Sequence, residues 1–407
     1  MPAPVATVEA AFGLPNPGDF IVGSSLVGGP DLVASGFNPI TSAAELVTIQ
    51  RGRWSQLTDV IDAGDMTVQV LNLDRSFDPT FVSSPYYGRV RPGVEVRVRA
   101  AADGFAARPL MTGRADELQF EYDVDGRSVT IFRATDALGD LGAMEFDEWT
   151  STGISAHAKL TAICERPEVA IPTSATSFDP GLEVLQVDAV SWGSNVLNYA
   201  QLIARSELGY LFVDANGVLT FRDRTAGGSG SPSAVFGGSS GIQYQSIQAR
   251  YGEFLFSRVG VDREGGTNQT VEVADLTSWV AANGRPRSLS LTGLLLDSDA
   301  QSLAIAEFLL NLYSTPRYQV AEIGVELAAL TPAQQDAVLS LDITDVVSVE
   351  FTPNGIAPAN TQELLVQGIA HDLTPASHVV RLSLIAVPRG LFIVGSSLVG
   401  GPDVVAF

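Results

Sequence analysis

The sequence predicts a mainly β protein with an α+β middle region and flexible arms at both ends. In several stretches apolar residues alternate with polar ones, as they do in half-buried antiparallel strands. Two stretches between residues 141 and 226 have helical spacing instead. Residues 1–40 are rich in Ala, Gly, Pro and Ser and show no sustained period, which is typical of an extended arm.

The first predicted β domain covers residues 41–140. In "MTVQVLN", Met66, Val68 and Val70 alternate with polar neighbours, and "VEVRVR" repeats the pattern. "LQFEYDVDGRSVTIF" predicts a long hairpin that turns at Asp125-Gly126. The Pro- and Gly-rich stretch "LDRSFDPTFVSSPYYGRVRPG" predicts a long connecting loop.

The middle α+β domain is predicted over residues 141–226. "SAHAKLTAICE" has helical spacing, with Ser155 as its N-cap, and stops before Pro167. "SNVLNYAQLIARSELG" predicts a second helix that Gly209 can end. "YLFVDANGVLTFRDR" then predicts a hairpin.

A second β domain, with a helix packed on it, is predicted over residues 227–390. It begins with "TAGGSGSPSAVFGGSSG", whose composition predicts a flexible linker or loop. The helix is "SDAQSLAIAEFLLNLYSTP", capped by Ser298 and ended before Pro316. Alternation returns around Ile323 and Leu382.

A repeated, uncharged segment lies in each arm. "FIVGSSLVGGPD" begins at Phe20 and returns unchanged from Phe392, within a C-terminal arm of residues 391–407. We call residues 20–29 and 392–401 the N-terminal and C-terminal ribbons. Apolar ends and permissive glycines suit strand addition to a sheet edge, either on a partner or on the same chain. The predicted partner-docking residues are Phe20, Ile21, Val22, Leu26, Val27, Phe392, Ile393, Val394, Leu398 and Val399.

Composition excludes several classes of protein. A net charge of -22 argues against a protein that binds nucleic acid by neutralising its phosphates. Cys164 is the only cysteine, so no intrachain disulfide framework and no cysteine-based metal site is expected. A signal peptide begins with a positively charged segment, but no basic residue precedes Arg51. No apolar run is long enough for a membrane span. We expect no membrane insertion by this chain.

The sequence offers only weak candidates for a metal-binding or catalytic site. His371, Asp372 and His378 lie close in sequence, but no third metal ligand accompanies them, and a turn between two strands is the simpler interpretation. His157 and Cys164 lie seven residues apart on a predicted helix and so share a face. A core cysteine is the simpler interpretation here, because no orienting group is evident.

Two acidic stretches also have simple structural interpretations. "EFDEW" places Glu145, Asp147 and Glu148 beside Trp149, a composition that suits a glycosidase, although sequence neighbours seldom face each other across a cleft. "DANG" at Asp214 matches only the opening of a calcium loop, so a hairpin turn is favoured. The sequence therefore predicts no enzyme activity, catalytic residue, metal or cofactor.

The order of these segments resembles the baseplate hub, or tail-tip minor tail protein, of long-tailed bacteriophages. The likeness covers about residues 41 to 390 and rests on "LNLDRSFDPTFVSSPYYGRVRPGVEVRVR", "MTGRADELQFEYDVDGRSVTIFRATDAL", "LGYLFVDANGVLTFRDR", "FSRVGVDREGG", "SDAQSLAIAEFLLNLYSTPRYQVAEIGVEL" and "VQGIAHDLTPASHVVRLSL". The resemblance implies two tail-tube-like β-barrel domains with smaller domains attached. It also implies a homotrimer in which six barrels form a ring.

The function that the resemblance implies is structural. Such a hub, made in the host cytoplasm and located in the virion at the tail tip, closes or continues the tail tube. Its implied partners are the distal tail or tail tube protein, the tape measure protein, and fibre or tip proteins. DNA passes through its channel without specific binding, and an acidic lumen would prevent adhesion. The alternatives are a cell-wall glycan hydrolase that uses "EFDEW", and a receptor-binding lectin that uses some of Trp54, Trp149, Trp192 and Trp279.

Overall fold

The computed structural model describes residues 2–14, 36–54, 60–228 and 231–387 of the 407-residue chain. The N-terminal part of the described chain consists of strands. These are β1 (Val5–Ala10), β2 (Asn38–Pro39), β3 (Ala44–Gly52), β4 (Asp65–Leu71), β5 (Val94–Ala101), β6 (Arg108–Tyr122) and β7 (Ser128–Thr135).

The middle part alternates helices with short strands. Its elements are α1 (Ala137–Gly142), β8 (Trp149–Ser151), α2 (Ala156–Cys164), β9 (Thr176–Phe178), β10 (Asp188–Val190), α3 (Val196–Ser206), β11 (Tyr210–Val213) and β12 (Leu219–Arg222).

The last part combines strands with three helices. Its elements are β13 (Ala234–Gly237), β14 (Ser246–Tyr251), β15 (Arg258–Arg263), β16 (Gln269–Glu272), α4 (Leu276–Asn283), β17 (Ser288–Leu294), α5 (Asp299–Tyr313), β18 (Tyr318–Glu326), α6 (Pro332–Leu339), β19 (Val346–Phe351), β20 (Asn360–Leu373) and β21 (His378–Ala386).

One 13-stranded sheet, curled into a half-barrel, joins the two ends of the described chain. Its strand order is β14-β18-β21-β20-β3-β4-β7-β6-β5-β1-β2. The long strand β20 makes the join, because its first half pairs with β19 while its second half pairs with β3. β13 then pairs with β19 in parallel. The N-terminal and C-terminal halves of the sheet therefore form one continuous unit.

The first core lies under this sheet. Period-two alternation places one side of each strand inward: in β5, Val94, Val96 and Val98 are buried while the residues between them are half-exposed. The first core unites residues of both sheet halves, including Val68, Leu110, Phe132, Phe236, Ile323 and Leu382.

The second core is built from the helices and the short strands. It collects apolar residues from α1, α2 and α3, from the three-stranded sheet β11-β12-β9, and from a second three-stranded sheet, β16-β15-β17. Leu160, Ile203, Phe221, Val259 and Ile305 are nearly inaccessible within it. Residues far apart in sequence, from the middle region and from residues 258–310, therefore share one interior.

Several local predictions are confirmed. β6 and β7 form the long hairpin, and Gly126 has φ of +91° at its turn. β11 and β12 form the shorter hairpin. Ser155 caps α2 by accepting a hydrogen bond from Ala158 N–H, and Ser298 opens α5 with a full capping box.

Three regions differ from expectation. The arm predicted for residues 1–40 contains β1, which pairs along its whole length with β5. The stretch predicted as a flexible linker contains β13, where Phe236 is completely buried. Helix α5 packs on strands within residues 227–390, but these strands, β15 and β16, form a separate small sheet beside the second core and are not part of the large sheet. Each difference arises because a partner strand or sheet distant in sequence decides the local structure.

Candidate assembly surfaces

The ten predicted docking residues, in both ribbons, lie outside the described residues. What the structure does describe is where the chain enters and leaves these segments. The N-terminal segment leaves from a closed stem, in which Gly13 N–H donates to the Gly36 carbonyl at 2.9 Å. The side chain of Asn38 accepts from Leu14 N–H at 3.2 Å and donates to the Leu14 carbonyl at 3.0 Å. The C-terminal segment follows β21 directly.

Strand β14 forms an open edge of the large sheet. Its only sheet partner among the described residues is β18, with a bulge between Gln248 and Ala249. Five of its six residues are exposed, Tyr251 to 70%, and only Ile247 is half-buried. Such an edge presents unpaired N–H and C=O groups, which makes it a template for another strand.

The opposite end of the sheet is closed by its own chain. The Thr41 hydroxyl accepts a hydrogen bond from Val8 N–H at 2.8 Å, and Ile40 N–H donates to the Val8 carbonyl at 2.8 Å. β2 then covers the last two residues of β1. Pro4, just before β1, has no N–H to offer. This edge has few groups left for a further strand.

The tip of the β6–β7 hairpin is a third exposed surface. Tyr122 is 62% exposed and Val124 is fully exposed. The tip extends past the strands that cover the base of the hairpin. Two large apolar side chains therefore face solvent there.

Charged and polar contacts fasten the two halves of the sheet together. The Arg108 guanidinium, beside β5, makes two hydrogen bonds of 2.8 Å to the carboxylate of Asp336 on α6, and this contact lowers the pKa of Asp336. Gln335 of the same helix donates to the Pro2 carbonyl at 3.0 Å. The halves are therefore held as one body by more than strand pairing.

Arg51 links the sheet to the second core. Its side chain is 2% exposed and donates to Asp342 at 2.8 Å and to the Val213 carbonyl at 3.3 Å. Asp342 in turn accepts from Ala215 N–H at 2.9 Å. A buried charge with these partners fixes the position of the β11–β12 hairpin against the sheet.

His371 and His378 face each other inside the first core. They lie on β20 and β21 at either side of the turn, which confirms the interpretation of a turn between two strands, and their ring nitrogens Nδ1 and Nε2 are 3.1 Å apart. Burial lowers the pKa of His371 well below its usual range and that of His378 to about 4. Asp372 points to the other side of the sheet, where Arg381 donates to it at 2.9 Å. No group of three His, Cys, Asp or Glu side chains suited to a metal occurs among the described residues.

The pair His157 and Cys164 does not form a nucleophile site. His157 is exposed and its Nδ1 contacts the Phe178 carbonyl at 3.0 Å. Cys164 is buried in the second core, and burial raises the pKa of its thiol to about 11. The thiol is therefore protonated near neutral pH and behaves as a small apolar core residue.

The acidic residues of "EFDEW" all face solvent. Glu145, Asp147 and Glu148 are exposed, while Trp149 packs against Phe146 and Tyr199 at the second core. Asp214 caps the β11–β12 turn by accepting from Asn216 and Val218 N–H groups, which confirms the hairpin interpretation.

The four tryptophans of the lectin alternative have different environments. Trp192 is 76% exposed, and the indole N–H of Trp279 donates to the Ser314 carbonyl at 2.7 Å. Trp54 lies close to Gly368. Together with Trp149 in the second core, they occupy separate parts of the chain.

A buried ionic cluster around Lys159 was not predicted. This residue, the only lysine, is fully buried; its Nζ donates to Asp188 at 2.5 Å and to Ser151 Oγ at 2.9 Å. The Tyr199 hydroxyl also donates to Asp188, at 2.9 Å. Burial, joined by the charge of Asp188, raises the pKa of Tyr199. The signal was present in the sequence, since Lys159 shares a helical face with Ala156 and Ile163.

The polar face of the large sheet carries ion pairs along its length. Arg97 pairs with Glu9 at 2.6 Å, and Arg133 with Glu117 at 3.5 Å. Glu95, on the same face of β5, has no ion-pair partner among the residues described. Arg99, also on this face, donates to the Ala107 carbonyl at 3.4 Å and has no ion-pair partner among the described residues, so the face carries both paired and unpaired charges. None of the helices in the described ranges has the length and apolar character needed to cross a membrane.

Comparison with known proteins shows the fold. No protein-family model and no curated protein sequence matches the chain. The 43 kDa tail protein of prophage MuSo2 from Shewanella oneidensis aligns with a TM-score of 0.57 and 14% identity, over 95% of this chain and 99% of that chain. The tail protein from Neisseria meningitidis MC58 aligns with a TM-score of 0.58 and 14% identity, over 93% and 96%. The chain therefore has the fold of phage tail proteins along most of its length.

Proposed function

We propose that this chain is a structural hub at the distal end of a phage tail. The observation that supports this most is the extent of the structural likeness, which covers nearly the whole of this chain and of both tail proteins. The sequence segments that resemble baseplate hubs support it independently. The proposed location is the tail tip of the virion.

The proposed assembly is a homotrimer with a ring of six β units. Each chain supplies two, the N-terminal and C-terminal halves of the large sheet, held together by β20. The sheet is curled but open, with β14 at one end and β1–β2 at the other. A closed ring would enclose the ends of these sheets between neighbouring copies and so shield them from nonspecific pairing.

The proposed channel is acidic. The chain carries 46 acidic and 24 basic residues, and Arg97 and Arg133 on the polar face of the sheet are paired with carboxylates. A wall with unmatched carboxylates repels phosphates, so DNA passes without adhesion.

The proposed neighbours are the tail tube protein, the tape measure protein, and fibre or tip proteins. The apolar residues of the two ribbons remain the predicted docking residues, either on such partners or on the same chain.

Particle mass and shape test the assembly. We expect the purified chain to have three times its monomer mass in solution, and to appear as a ring with a central channel by electron microscopy. Neutralising carboxylates of the polar face, with Glu95→Gln as the first variant, should increase DNA retention at low salt if this face lines the channel. A stable monomer at high concentration, or a channel lined mainly by arginine, would contradict the proposal.

A separate experiment tests the absence of enzyme activity. Purified protein should release no fragments from peptidoglycan, and the triple variant Glu145→Gln, Asp147→Asn, Glu148→Gln should behave identically. Robust cleavage by the parent protein that the variant loses would favour the glycan-hydrolase alternative.

A further inference from the structure

We infer that the C-terminal ribbon adds to the open edge of β14 as an antiparallel strand of the same chain. This inference goes beyond the proposed function and does not rest on it, because the occupant belongs to the same molecule. It assigns a site to one of the two repeated segments.

The edge of β14 is the acceptor. Along Ser246–Tyr251, hydrogen bonds run to β18 on one side, and no described residue pairs with the other side. The exposed side chains of β14 are mostly small or uncharged, with Arg250 as the exception. This edge lacks the shielding by proline, Thr41 and β2 that closes the opposite end of the sheet.

The chain leaves the sheet close to this edge. Both β14 and β21 are antiparallel to β18 and flank it, so they run in the same direction. Ala386, the last residue of β21, lines one small cavity with Gln319 of β18 and Arg250 of β14. These three residues lie together at the same end of β14, β18 and β21. The C-terminal segment therefore begins beside the end of β14.

The available chain length fits the required span. A strand outside β14 lies three strand spacings from β21, or about 14 to 15 Å. The five peptide steps from Val387 to Phe392 reach at most about 16 to 18 Å. After that crossing, the ribbon would have to reverse relative to β21, which makes it antiparallel to β14.

The sequence of the ribbon suits this position. Phe392, Ile393 and Val394 favour strands. The segment from Phe392 to Gly401 carries no charge, which suits a position beside the half-buried Ile247 of β14. The N-terminal ribbon has the same residues, but its stem leaves from the β1–β2 end of the sheet. Position in the fold, not sequence, therefore selects the C-terminal copy.

Disulfide trapping tests the inference directly. Cys164 is the only native cysteine and is buried, so background is low. Gln248→Cys is combined, one at a time, with cysteine at each position from Ile393 to Ser397, and each variant is oxidised and analysed for intrachain or interchain bonds. We expect intrachain disulfides at alternate ribbon positions. Matched controls place the acceptor on β1 (Thr7→Cys), or the donor in the N-terminal ribbon at Val22→Cys.

The outcomes separate the alternatives. Intrachain bonds from the C-terminal ribbon to β14, with little bonding in both controls, support the inference. Predominantly interchain bonds would show that the ribbon belongs to another copy, and equal bonding in the controls would show nonspecific contact. Either result, or no bonding at any position, would overturn it.

Hydrogen exchange provides a second measurement without engineered cysteines. In the full chain the outward amides of β14 should exchange at least about tenfold more slowly than in the double variant Ile393→Asp, Leu398→Asp. The matched variant Ile21→Asp, Leu26→Asp should leave β14 protection unchanged. Equal β14 exchange in the parent and the C-terminal variant would overturn the inference.

Discussion

The two cores of this chain bury polar groups in different ways. The first core lies under one face of a long sheet, and its facing histidines, His371 and His378, are neutral. The second core buries the charged pair Lys159–Asp188 and the carboxylate of Glu207, which accepts hydrogen bonds from Leu182 and Glu183 N–H groups. Long strands send every second side chain to solvent, whereas short packed elements enclose polar groups that then need internal partners.

Removing the partner of Lys159 should produce the largest effect. Asp188→Ala leaves a fully buried ammonium without its carboxylate, and we expect it to lower the free energy of unfolding by about 3 to 5 kcal/mol. Denaturant unfolding followed by the fluorescence of Trp149, which contacts Tyr199 beside the cluster, measures this. The control Asp372→Ala breaks an exposed pair with Arg381 and should cost about 1 kcal/mol or less. Equal effects would contradict the view that burial makes the Lys159–Asp188 pair costly to break.

A cavity in the first core should cost nearly as much. Phe236→Ala removes a completely buried ring from β13, with an expected loss of about 3 to 5 kcal/mol. Its neighbour Val235 is 48% exposed, so Val235→Ala should change stability by about 0.5 kcal/mol or less. Thermal and denaturant unfolding compare the two. If both variants match the parent, β13 is not part of the first core.

Acid should weaken the first core through its histidines. Because both folded pKa values lie below the unfolded value, the unfolded chain binds more protons below about pH 6.5, and stability falls as pH drops toward 4. Each histidine can lower stability by up to about 1.4 kcal/mol per pH unit in this window, and with Asp136 opposing them we expect a net loss of about 1 kcal/mol per pH unit. Burial raises the pKa of Asp136 to about 6, so this carboxyl takes up a proton in the folded chain before it does so in the unfolded chain. Its protonation therefore opposes the loss of stability.

Comparison of variants isolates the histidine contribution. The double variant His371→Gln, His378→Gln should have a flatter stability profile between pH 6.5 and 4 than the parent. His157→Gln, on the exposed side of α2, should retain the parent profile. The same slope in all three proteins would show that other groups control the acid response.

The smallest effect is expected at the contact between the sheet halves. Arg108→Ala breaks a bidentate pair with Asp336, but the arginine side chain is 43% exposed, so the cost should be about 1 kcal/mol or less. Asp336→Asn tests the same contact from the other side. A loss of several kcal/mol from either variant would mean that this pair, more than strand pairing through β20, holds the halves together.

Local signals in the sequence located many elements correctly. Ser155 and Ser298 marked the starts of α2 and α5, and Asp125-Gly126 marked the tip of the β6–β7 hairpin. Each depends on interactions between residues a few positions apart, which a sequence displays directly. The simpler interpretation of Cys164 as a core residue is also supported, because its side chain is buried in the second core.

Features that depend on distant partners were missed. Nothing in "SPSAVFGGSSG" indicates that β13 pairs with β19, more than a hundred residues later. The pairing of His371 with His378 across two strands, and of Lys159 with Asp188 across two elements, also requires the fold. The domain boundaries predicted at residues 40, 140, 226 and 390 remain a prediction, while the cores combine segments from both sides of them.

The sequence by itself determined the strand and helix character of most segments, the acidic charge and the repeated ribbons, because these depend on composition and short-range periodicity. Only the tertiary structure decided that both sheet halves join through β20, that residues 258–310 share a core with the middle region, and that β14 is left as an open edge. The physical reason is that strand pairing and core packing connect residues whose separation along the chain leaves no local pattern.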